Sequence, residues 1–123
     1  MRTDEEIIER IKAQEPQDWL GFMNIDLIYR LPFELAKPYL KDGVTESDWQ
    51  PKPRDRDSLI AEMKDYMPFA IEKADSGRGI SASRSMAHYA SWVWLAGDDL
   101  GDLNTYQDYG KSNLSKICRH YGF

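Results

Sequence analysis

The sequence is short of most features that announce a chemistry. Its 123 residues hold one cysteine, Cys118, which excludes an internal disulfide. The opening MRTDEEIIER has no apolar core of a secretory signal, so a reducing, cytoplasmic setting is expected. Cys118 and His120 are two apart and point away from each other on a helix, and no zinc spacing can be read. No Gly-rich phosphate loop and no serine–histidine–aspartate grouping is present either, so no cofactor is expected. Basic charge is in deficit: 16 Lys and Arg against 21 Asp and Glu leave a net charge of −5. Such a chain lacks the cationic surface that neutralises phosphates, so direct nucleic-acid binding is not expected. The longest mostly apolar stretch, Tyr89 to Gly97, is too short to span a bilayer, and no membrane partner is expected. Runs of alternating β-branched residues, the mark of strands, are missing.

What is present is helical periodicity. Thr3 and Glu6 form a capping box ahead of an apolar stripe at Ile7, Ile8 and Ile11. After Pro16, Trp19, Met23, Leu27 and Leu31 recur every four residues and predict a second helix. A short helix lies between Pro32 and Pro38, and a capped turn follows at Thr45 to Trp49. Gln50 to Asp57, QPKPRDRD, is an extended connection between two helical halves, because Lys52 sits between two prolines. Leu59, Ile60, Met63, Met67, Ala70, Ile71 and Ala74 then make a broad amphipathic stripe, kinked by Pro68 and stopped by DSGRG. Ser81 or Ser83 caps a helix to about Ala96 that is apolar nearly all round, as a central, buried helix is. A short helix is expected from Asp98 to Leu103, and a last one carries Leu114, Ile117, Cys118 and Tyr121. The expectation is one all-α domain over residues 1–123, a bundle of five to seven helices.

Asp98, Asp99 and Asp102 spell DDxxD, which in prenyl-transferring enzymes holds magnesium against a diphosphate. Here Gly97 and Gly101 break the rigid helix that motif needs, and no second acidic motif faces it. Asp98 is read instead as a helix cap, and no metal is expected. A calcium loop starting at Asp102 fails at Tyr106, Gln107 and Asn113. Cys118 continues the Leu114/Ile117/Tyr121 face and is read as core. His88, in the most apolar helix, is read as a hydrogen-bonded core or boundary residue and not as a base. No catalytic residue is assigned.

The charge layout carries more. Between Ser85 and Gly110 stand four acids and no Lys or Arg, and from Lys111 onward three bases and no acid. The acids are interleaved with aromatic residues, as in interface hot spots. Asp98, Asp99, Asp102, Tyr106, Asp108, Tyr109 and Trp92 are therefore the candidate partner-binding residues. Trp94 is assigned to the main core, and Trp92 to a second layer or a partner. Lys52, Arg54, Arg56, Arg78 and Arg84 are a candidate basic patch.

The blocks LPFELAKPYLKDGVT, RDSLIAEMKDYMPFAIEKA, GISASRSMAHYASWVWLAGDD and YGKSNLSKICRHYGF resemble small uncharacterised helical proteins encoded by bacteriophages and prophages. That resemblance implies a host-directed accessory protein in the bacterial cytoplasm. It would be a non-enzymatic inhibitor of a bacterial defence complex such as a CRISPR effector, an anti-CRISPR, with a basic protein or nucleoprotein partner. Alternatives are an immunity or antitoxin-like protein, a structural phage component, and a small enzyme using His88 or Cys118. A cleft around His88 is the feature the enzyme requires.

Overall fold

The computed structural model describes residues 1–13, 26–40, 42–76, 79–101, 103 and 111–123. The protein is all-α, with no strand among the described residues. In chain order the helices are α1 (Asp4–Ala13), α2 (Phe33–Ala36), α3 (Arg56–Asp75), α4 (Gly79–Leu95) and α5 (Lys111–Tyr121). Two 3-10 turns, Lys37–Tyr39 and Glu46–Asp48, fall between α2 and α3, and residues 26–28 are helical. No described helix is long and apolar enough to cross a membrane.

The capping box of α1 forms as its residues dictate. The Glu6 amide donates to Thr3 Oγ1 and the Thr3 amide to Glu6 Oε1, both at 3.2 Å. Ile7 and Ile11 are buried beneath it. The helix starting near Pro16 lies mostly outside the described residues, but its last stripe members, Leu27 and Leu31, are fully buried.

α3 starts at Asp55, whose carboxylate accepts the Ser58 amide at 3.0 Å. Leu59, Met63, Met67, Ala70 and Ala74 are buried along one face. Ile71, expected in that stripe, is instead 43% exposed. At about 100° per residue it stands about 80° from the centre of the buried set, at the edge of the packed face. Pro68 lies inside the helix without ending it. It sits on the exposed side, where the carbonyl it leaves unbonded meets water.

α4 is the central helix that its composition predicts. Ser85, Met86, Ala87, Tyr89, Ser91, Trp92, Val93, Leu95 and Ala96 are buried, and the helix packs along α3, which also contacts α5. Tyr89, wholly buried, donates its hydroxyl to the Met63 carbonyl at 2.7 Å and so satisfies its one polar atom on the α3 backbone. The helix begins at Gly79, ahead of the expected caps at Ser81 or Ser83. The first residue able to cap need not be the first helical one.

The expected helix from Asp98 to Leu103 does not form. Gly97 has φ 83° and Gly101 φ 76°, and the described residues of this stretch are irregular. Gly97 closes α4: its amide donates to the Trp94 carbonyl and the Asp98 amide to the Val93 carbonyl. Two carbonyls of this stretch are bonded by α5, Leu100 O by Lys116 Nζ and Leu103 O by Asn113 Nδ2. α5 itself ends as read, with Gly122 at φ 77° and two amides returning to the Cys118 carbonyl. Cys118, expected in the core, is half-buried, since Leu114 and Ile117 occupy the inward face.

Candidate functional site

Asp98 is held by side chains from two other helices. Arg56 Nη1 donates to it at 2.8 Å and the Tyr121 hydroxyl at 2.8 Å, with His120 Nε2 at 3.6 Å. Burial raises the Asp98 carboxyl, but the bonds from Arg56 and Tyr121 outweigh it and hold the group below the usual carboxylate range. The same contacts act on their partners. The bond to Asp98 raises the Arg56 guanidinium, and burial followed by that bond raises the Tyr121 phenol. Asp98 thus ties the end of α4 to α3 and α5. Asp99 turns the other way, exposed, and accepts the Gly101 amide at 2.9 Å. Asp102, Tyr106, Asp108 and Tyr109 lie outside the described residues. Among the described residues, no three His, Cys, Asp or Glu side chains gather as a metal site.

The candidate basic patch is divided among acids. Arg54 pairs with Asp4, Arg56 with Asp98, and Lys52 approaches Glu62 at 4.0 Å. Arg78 is outside the described residues.

The assignment of the two tryptophans is reversed. Trp92 is 6% exposed, packed against Tyr66, His88 and Tyr89. Its indole N–H is buried without an acceptor among the described residues. Trp94 is half-buried, with the guanidinium groups of Arg2 and Arg10 at 4.6 and 4.4 Å from its ring centre. Burial, then the nearby Arg2 charge, pushes the Arg10 guanidinium down. On a helix apolar nearly all round, periodicity cannot rank the faces. The neighbours decide, and α3 offers Tyr66 to Trp92.

Behind that aromatic group lies the site that sequence reasoning missed. A cleft of about 390 Å³ is lined by Asp26, Lys52, Glu62, Asp65, Tyr66, His88 and Trp92. Asp26, only 5% exposed, accepts from His88 Nδ1 at 2.5 Å. A carboxylate only accepts, so Nδ1 carries the proton, and Nε2 is the ring nitrogen left for another partner. The His88 ring stacks on Trp92 at 24° and 5.6 Å and meets Tyr66 edge-on. Bond and stack together fix its orientation. Glu62 is taken by Arg30, whose Nη1 lies 2.7 Å away and also donates to the Pro53 carbonyl at 2.6 Å. Asp65, exposed on the rim, has no partner among the described residues.

His88 was legible as a hydrogen-bonded boundary residue, and that is what it is. Its partner was not legible, because Asp26 is 62 positions away in a segment read only for its apolar stripe. The one available signal was that Asp26 and Arg30 stand beside Leu27 and Leu31 of the predicted helix's apolar stripe. Charges there require partners from another element. With the geometry in hand, the chain matches no protein-family model, no curated protein and no solved structure.

Proposed function

We propose that the protein is a non-enzymatic binding protein whose cleft around His88 takes a cationic group from a basic protein partner. The carrying observation is Asp65, an exposed carboxylate without a partner among the described residues, on the rim of a cleft walled by Tyr66 and His88. Asp26 and Glu62 add two further carboxylates to the lining, against one cation, Lys52. Aromatic faces beside carboxylates favour an arginine side chain, which stacks and pairs at once. This reading uses an acidic and aromatic surface on α3, α4 and the Asp26 segment, separate from the one expected near Asp98 to Tyr109. Inhibition of a bacterial defence complex is the narrower form of this proposal and rests on the resemblance alone. An effector complex that co-purifies with the protein and loses activity would support it.

The test is calorimetric titration with a short peptide carrying one central arginine, at low and high salt. Binding should weaken with salt. It should fall about tenfold or more in Asp65→Lys, as loss of a charged hydrogen bond implies. It should persist in Asp99→Lys. The opposite ranking of the two variants would place the binding surface back at the α4 end.

A second reading is favoured by the Asp26–His88 contact. A histidine oriented by a buried carboxylate, with Nε2 remaining, is the arrangement of a general base. Among the described residues no serine, threonine or cysteine lines the cleft, so Nε2 would act on water or on a substrate proton. Chemical change of a bound ligand that disappears in a folded His88→Gln variant would favour this reading over simple binding.

A further inference from the structure

A second concavity lies between α3 and α5. Its volume is about 480 Å³, within the roughly 300–1,000 Å³ of small-molecule sites. Ile71, Ala74 and Leu114 supply apolar surface. Ile71 is 43% exposed, so an isoleucine side chain stands in water beside a groove that could cover it. Charge is distributed unevenly along the groove. At one end Lys111 Nζ and Asp75 Oδ1 answer each other at 3.4 Å. Arg119, which lies eight residues and about 12 Å along the helix from Lys111, lines the same groove without an ion-pair partner among the described residues. The lining therefore carries an excess of one positive charge in a chain of net charge −5.

An apolar trough with a single unanswered guanidinium at one end selects for two properties in one ligand. The tail must be apolar, to cover the exposed Ile71 over a floor made by Ala74 and Leu114. The head must be an anion that accepts from a guanidinium, and a carboxylate does so through two parallel bonds. A cationic head is repelled by Arg119 and Lys111. We propose that this groove binds a small amphiphilic carboxylate, its unbranched tail along Ile71 and Leu114 and its head at Arg119. The site is independent of the cleft at His88, which involves other faces of α3 and α4.

Cys118 lines the groove and is the only cysteine in the chain, so its alkylation reports on this place alone. The experiment follows iodoacetamide labelling of Cys118 by intact mass, with octanoate or octylamine added, and measures octanoate affinity by calorimetry. At twice its Kd octanoate should slow labelling about threefold, as occupancy requires. Octylamine should give no protection. Arg119→Gln should weaken octanoate binding about tenfold or more, the loss of a charge-assisted bond. Ile71→Asp should abolish the protection. Both side chains are exposed, so circular dichroism should show both variants folded. The proposal is overturned if octanoate neither binds nor protects, if octylamine protects equally, or if both variants bind octanoate as the parent does.

Discussion

Trp92 and Trp94 stand two positions apart on α4 and meet different physical conditions. Trp92 is enclosed by Tyr66, His88 and Tyr89, so Trp92→Ala opens a cavity and should cost roughly 3–5 kcal/mol. Trp94 holds two arginines at the surface, and Trp94→Ala should cost about 1 kcal/mol. Trp92→Phe should be far milder than Trp92→Ala, because it keeps an aromatic ring in the site and the indole N–H it removes has no acceptor among the described residues. Urea unfolding of the three variants checks the ranking. A Trp94→Ala variant less stable than Trp92→Ala would contradict the packing described. The helix itself was legible from its residues, but the ranking of its faces was not. A face is buried by what lies opposite, and Tyr66 is 26 positions before Trp92 in the chain.

Among the elements, the end of α4 shows how local signals and distant partners divide the work. The glycine at 97 was legible as a stop, and its positive φ and returning amides bear that out. Nothing local marked the cations that complement this helix end. Arg2 Nε donates to the Trp94 carbonyl and Arg56 Nη1 to the Ala96 carbonyl, although α4 has no basic residue in its own last turn. Asp98 anchors Arg56 there. Its folded carboxyl titrates below the ordinary range, so the stability it contributes is present above the unfolded value of about 3.9. That stability is lost as pH falls through the lower folded value. Parent and Asp98→Asn should therefore differ in melting temperature at neutral pH and converge below about pH 4. A difference that stays constant from neutral to acid would show that Asp98 acts otherwise. The amphipathic stripes of α1, α3 and α5 were legible because each repeats within its own element. The Asp98–Arg56–Tyr121 group was not, because it joins three elements.

At the scale of the whole molecule, charges inside the core come from the short segment before α2. Asp26 reaches α4 through His88, and Arg30 reaches α3 through Glu62. The Arg30 side chain is fully buried, and among the described residues the Glu62 contact and the Pro53 carbonyl are what answer its charge. Removing one partner of such a pair leaves the other stranded, and Glu62→Ala should cost roughly 3–5 kcal/mol by urea unfolding. The prolines at 51 and 53 were legible as a connection between halves. That a buried arginine would grip this connection was not, since its one carboxylate lies 32 positions away on α3. Lys52 N also donates to the Tyr29 carbonyl at 2.9 Å, and Arg54 is tied to Asp4. A stretch with no regular structure is thus held at three successive residues. The consequence is proteolytic. Trypsin does not cut before proline, so within residues 50–55 only the bond after Arg54 is open to it. A protease needs several residues free to enter its active site, and here freeing them means undoing the buried Arg30 contact. Cleavage after Arg54 should therefore accelerate with urea as steeply as global unfolding does, and not proceed through a cheap local opening.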